Sequence, residues 1–154
     1  MKKTLQAALF SFAVLALAHP AVATDAAPVP DDAKALCLKA ADYISAHGLA
    51  AARTAFDQQG EFYHGQLYAG VLDFKGHWLI YPPKPAAEGT NILGVRDSDG
   101  NYIAKEIVAV AENKGEGWVN YRFLNPAAHQ IQPKVTYVKR VPGMNVLTYV
   151  GVYK

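Results

Sequence analysis

The hydrophobic period of this chain changes once, near Gln59-Gly60, and that change limits the folds open to it. Upstream, Leu36, Ala40, Tyr43, Ile44 and His47 recur at spacings of three and four, the pattern of one helix face. Asp31 or Asp32 is suited to cap its start. Gly48 ends or kinks the helix, and Ala51, Ala52, Ala55 and Phe56 resume the pattern beyond it. Downstream the period shortens. Residues 67–74 and 78–81 read as strands around a Lys75-Gly76 turn, and Pro82, Pro83 and Pro85 end the pairing because proline donates nothing to a ladder. Residues 88–100, rich in Gly, Asn and Asp, read as loop, and residues 102–113 as a second helix with Ile103, Ile107, Val110 and Ala111 on one side. Strands over 118–124, 132–141 and 145–153 close the chain. Helix, two strands, helix, three strands is the order of one α+β domain with an antiparallel sheet of about five strands.

An address precedes this domain. Lys2 and Lys3 lead an apolar run that ends at His19-Pro20, and Ala21-Val22-Ala23 has the small-x-small form of a signal-peptidase site. The run is shorter than the ~20 residues that span a bilayer. The reading is therefore a signal peptide over 1–23, a Pro/Ala-rich flexible lead-in over 24–30 and one domain over 31–154. The mature chain is expected to be periplasmic or secreted and to contain no membrane span. Cutting after Ala23 leaves 131 residues with 13 basic and 13 acidic side chains, a balance that argues against a nucleic-acid partner. A chain of this length buries roughly two-thirds of its unfolded surface, enough for a core without disulfides. The single cysteine, Cys37, allows no disulfide within the chain.

Catalytic signatures are scarce. The mature chain has two serines, Ser45 and Ser98, neither in a nucleophile elbow. Cys37 falls on the apolar side of the first helix, where a buried inert thiol is the simpler reading than a reactive one. No two of His47, His64, His77 and His129 have the i, i+4 spacing of a helical zinc site. Asp97-Ser98-Asp99-Gly100-Asn101 hints at a calcium loop, but the glycine comes too early and Val108 stands where the closing glutamate belongs. A turn and helix cap is the better reading. No metal, no cofactor and no enzymatic activity are expected.

What remains is aromatic. All nine tyrosines lie beyond the address, several of them on strands. Alternation puts Val119, Tyr121 and Phe123 on one face of their strand and Trp118, Asn120 and Arg122 on the other. Tyr68 shares a face with Gly70 and Leu72. From spacing alone such tyrosines fit a core first, and they also suit the lining of a pocket for a small polar ligand.

The ordered motifs are Leu67-Tyr68-Ala69-Gly70-Val71-Leu72-Asp73, Gly76-His77-Trp78-Leu79-Ile80-Tyr81-Pro82, Asp97-Ser98-Asp99-Gly100, the run from Gly117-Trp118 to Asn125-Pro126, Pro133-Lys134-Val135-Thr136-Tyr137-Val138 and Val150-Gly151-Val152-Tyr153. This series resembles the single Cache domain, an extracytoplasmic sensing module of bacterial chemoreceptors and histidine kinases. The resemblance implies a long N-terminal helix packed on a PAS-like antiparallel sheet, with a pocket for small organic anions, often short carboxylates, on the other side. By position it assigns ligand contacts to Tyr68, Tyr81, Tyr121, Phe123, Lys134 and Tyr137. Lys134 and Tyr137 are three apart and face opposite sides of a regular strand, so both reach one pocket only through a bulge or a strand end. The family often has histidine where this chain has Tyr81, and tryptophan where it has Gly70 and Phe123; a lost indole leaves room for a ligand larger than acetate. Sensors of this type usually continue into a membrane helix, so a chain ending at Lys154 is expected to signal through a membrane-bound receptor or kinase. The function implied is a sensor-type domain binding a small organic carboxylate. The alternative is a structural or interaction domain of the same fold that has lost its ligand.

Overall fold

The computed structural model describes residues 27–154. The expected signal peptide lies outside the described residues. Helix α1 runs Pro30–Phe56 and bends at Gly48, whose φ of 79° departs from helical values. One helix therefore carries both halves of the apolar pattern. Its N-cap is Val29, not an aspartate. Pro30 takes the first helical position, where its missing N–H costs nothing, and Asp32 reaches back so that its Oδ2 accepts from the Val29 amide at 2.8 Å. Ala33, Cys37, Ala40 and Ala41 are fully or almost fully buried, and such small side chains let the helix lie close to the sheet. Tyr43 is half-buried and His47 exposed, so the predicted stripe is rotated slightly toward the alanines.

The sheet contains β3 (Gly70–Asp73), β4 (Trp78–Ile80), β5 (Glu116–Asn125), β6 (Gln130–Arg140) and β7 (Val146–Tyr153), paired antiparallel in the order β4-β3-β7-β6-β5. The last strand sits in the middle and is buried along nearly its whole length. Residues 67–74 do not form one strand as the sequence suggests. β1 (Tyr63–His64) and β2 (Leu67–Tyr68) form their own two-stranded ribbon, and the chain enters the main sheet only at Gly70. The Ala69 amide donates to the Phe62 carbonyl at 2.9 Å, which commits this stretch to its upstream neighbour.

Strand alternation divides the core in two. Val71, Val135, Val150 and Val152 pack under α1, while Leu72, Val119, Leu147 and Tyr149 face α2 (Ile103–Lys114). α2 buries Ile103, Ala104, Ile107, Val108 and Ala111 and ends at Gly115, whose φ of 77° suits glycine. Its N-cap is Tyr102, which makes no side-chain cap bond, so the Asp97 motif is a turn and not a helix cap. Asp97 Oδ1 accepts from the amides of Asp99 at 3.0 Å and Asn101 at 2.8 Å. Its Oδ2 accepts from the Arg122 amide at 3.2 Å, pinning the loop to β5.

Two more side chains hold the loops around the second face. Glu88 Oε1 accepts from the Tyr81 amide at 2.8 Å, and Oε2 pairs with Arg53 of α1. Asp73 closes the β3–β4 turn, accepting from the His77 amide at 2.8 Å and lying 2.9 Å from His77 Nδ1. Cys37 is buried and bonded to Thr148, and burial pushes its thiol up to about 12. At that value it is an inert core group. Among the described residues no helix is long and apolar enough to cross a membrane.

Candidate ligand-binding site

Among the described residues, the face of the sheet opposite α1 carries one buried cation. Lys134 is 4% exposed, and it stands on β6 between Tyr121 of β5 and Tyr153 of β7. Its stem crosses Gly151. A β-carbon there would lie 2.6 Å from Lys134 Cε and 2.3 Å from Thr136 Oγ1, so only glycine leaves the lysine its place against the sheet. The ammonium is surrounded by rings: Tyr153 at 4.6 Å, Tyr68 at 5.4 Å and Phe123 at 5.9 Å from Nζ to centroid. Among the described residues no carboxylate pairs with it. Burial alone pushes its pKa down to about 8. The rings offset part of the cost of burying the charge, but a buried ammonium without a counter-ion is still costly.

Two chambers meet at Lys134. The inner one, about 50 Å³, is walled by aliphatic side chains such as Ile103 and Ile107 of α2 and Leu72 of β3, together with Trp78, Tyr121 and Tyr149. A water needs ~10–15 Å³ of such space, so this chamber holds a handful of heavy atoms. The outer one, about 330 Å³, is bounded by the β1–β2 ribbon and the β5–β6 turn. Tyr68, Tyr81, Phe123 and Lys134 line both. Tyr81 stacks on Trp78 at 4.2 Å and meets Tyr68 edge-on at 5.9 Å. Burial raises the phenol pKa values of Tyr68, Tyr81, Tyr121 and Tyr149. Their hydroxyls are thus neutral at ordinary pH.

Five of the six residues expected from sequence come together here: Tyr68, Tyr81, Tyr121, Phe123 and Lys134. Tyr137 does not. β6 pairs without a bulge from Gln130 to Arg140, so alternation sends Tyr137 to the α1 face. There it meets Trp118 edge-on at 4.7 Å and lies under the Lys34 ammonium. The room expected at Gly70 is also absent. Tyr149, its cross-strand partner, covers it so closely that a β-carbon on Gly70 would sit 2.2 Å from the ring. Tyr149, Tyr153 and Trp78 also line the chambers and were not among the contacts expected from sequence. The alternation Tyr149-Gly151-Tyr153 carried a signal for two of them, since it places both tyrosines on the face of Gly151.

Tyr121 belongs to both core and cavity. Its hydroxyl lies 2.9 Å from Thr136 Oγ1, which is itself fully buried. Tyr121→Phe is therefore expected to cost ~1 kcal/mol by leaving the threonine without its partner. Urea unfolding of parent and variant measures it. Identical midpoints would show that the bond contributes nothing.

The sequence profile of the family described as Single Cache domain 2 matches residues 41–154. Methyl-accepting chemotaxis protein McpP of Pseudomonas putida is 28% identical over 86 residues, which are 56% of this chain and 16% of that protein. Sensor histidine kinase MctS of Rhizobium johnstonii is 29% identical over 86 residues, 56% of this chain and 18% of that protein. The chain thus spans less than a fifth of the length of these curated relatives. A solved Cache chemosensory domain described for its carboxylic acid recognition superposes with a TM-score of 0.62 at 27% identity, covering 80% of this chain and 86% of that one.

Proposed function

Since the chain belongs to the single Cache domain 2 family, we propose that it is an extracytoplasmic sensor domain that binds a small organic carboxylate at Lys134. Lys134 itself carries this reading: a buried cation, ringed by aromatics, with no carboxylate of the described residues beside it. A ligand carboxylate supplies the missing counter-charge through a charge-assisted hydrogen bond. The carboxylic acid recognition described for the solved relative supports the same ligand class. The chemotaxis and kinase relatives support a role in which occupancy of the site is relayed to a membrane-bound receptor or kinase. Export through the 1–23 address belongs to this proposal. So does the absence of catalysis, because the described residues of the cavity offer one cation and neutral phenols but no acid/base pair.

Thermal melts with a panel of monocarboxylates test it. Ligand at 100 times its dissociation constant adds ~2.7 kcal/mol. The effect follows the protonation of Lys134. The ligand carboxylate stays ionised across the range, whereas the lysine loses its proton above about 8. Affinity is expected to hold from pH 6 to 7.5 and to fall roughly tenfold per unit above 8. No stabilisation by any acid would return the domain to the structural or interaction reading.

A further inference from the structure

The geometry points to an aromatic monocarboxylate as the ligand, its carboxylate on Lys134 and its ring in the outer chamber among Tyr63, Tyr68, Tyr81 and Tyr153. This inference rests on the carboxylate reading above and specifies the ligand class. The inner chamber, about 50 Å³, gives little room for a six-membered ring beside the carboxylate, and Tyr149 covers Gly70, one of the two positions where a missing indole would have enlarged it. The outer chamber has more than six times the volume. The ring nearest the Lys134 ammonium, that of Tyr153 at 4.6 Å, lines the outer chamber and not the inner one.

The outer walls suit a flat apolar body. Four tyrosines and Phe123 face it, with Pro83 and Pro126 at its margin. Aromatic pairs gain from edge-on and offset contact beyond the area they bury. Tyr63 and Tyr68 already meet edge-on, 6.3 Å apart, leaving further ring faces and edges for a guest. Among the described residues Lys134 is the only charged side chain lining either chamber. A second carboxylate on the ligand would find no cation, and an amino group would find no anion. Dicarboxylates and amino acids are thereby disfavoured.

Calorimetry of the full chain with benzoate, phenylacetate, acetate and propionate at pH 7 tests the inference. The aromatic acids are expected to bind at least tenfold more tightly than acetate or propionate. Tyr63→Ala removes an outer wall that the inner chamber does not share, so it should weaken benzoate about tenfold and leave acetate within twofold. Tyr63→Leu, which keeps bulk on the β1–β2 ribbon, should act in the same direction and serves if the alanine variant does not fold. Acetate or propionate binding as tightly as benzoate would put the ligand in the inner chamber, overturning this inference while the carboxylate reading stands. Benzoate binding unchanged in both Tyr63 variants would overturn it as well. Binding of none of the four acids would remove both.

Discussion

Lys134→Met is expected to make the empty protein more stable and to abolish carboxylate binding. The two effects share one cause. Burial has lowered the lysine from its ordinary 10.5 to about 8, which means that the folded state holds this proton less tightly than the unfolded chain does. For a base depressed in the folded state, the cost is fully present below the folded value and is relieved as pH rises toward the unfolded one. Between about 8 and 10.5 the parent should therefore gain stability, up to roughly 3 kcal/mol, as the ammonium becomes a neutral amine. Methionine keeps much of the length and none of the charge, and it remains compatible with the surrounding rings. A gain of ~1–3 kcal/mol at pH 7 follows, because an unpaired buried charge has been replaced by an apolar chain of similar volume. For a domain of this size that is several degrees in melting temperature. Melts of parent and variant from pH 6 to 10, with and without ligand, check the prediction. Its signature is a crossing: the variant melts higher when empty at pH 7, and the parent overtakes it when ligand is present. A variant less stable than the parent at pH 7 would mean that the rings stabilise the ammonium more than burial destabilises it.

Gly70→Ala is expected to cost ~1–3 kcal/mol, a large penalty for one methyl group in a strand. The methyl would sit 2.2 Å from Cζ and 2.5 Å from the hydroxyl oxygen of Tyr149, far inside contact distance. The ring has to swing away from the sheet, toward the inner chamber that it lines. The test is a double-mutant cycle. Tyr149→Ala alone should cost ~3–5 kcal/mol in packing, reduced because the buried Tyr149 hydroxyl has no hydrogen-bond partner among the described residues. In the Tyr149→Ala background the clash is gone. Gly70→Ala should then be neutral or stabilising by ~0.4–1 kcal/mol, since alanine leaves the unfolded chain fewer conformations than glycine. A sign change between backgrounds, read from denaturant unfolding, is the expected result. Equal effects in both would show that Tyr149 is free to move without cost.

These predictions rest on contacts of different legibility. Periodicity is a local property, so the helix over α1, the second helix and the strands from β4 to β7 were readable from spacing and turn residues along the chain. The alternation of Val119, Tyr121 and Phe123 against Trp118 and Arg122 held because β5 is long and regular. The same rule explains the misplacement of Tyr137: its spacing of three from Lys134 already opposed a shared pocket, and a strand without a bulge settled the matter in favour of spacing. The break at Ala69 was not legible, because a continuous apolar run does not reveal which partner each half of it will pair with.

The sequence by itself determined the α+β order, the inert setting of Cys37 and the grouping of Tyr121 with Phe123, since each follows from intervals of a few residues along one element. Only the tertiary structure decided what stands opposite what. Gly70 and Tyr149 are far apart in the chain and become partners through the placement of the last strand at the centre of the sheet. That placement fills the space a missing indole left, lays Lys134 across Gly151 and brings Tyr153 to its ammonium. The division into a small inner chamber and a larger outer one follows from cross-strand register, which is set by the packing of both sheet faces and not by any local run of residues.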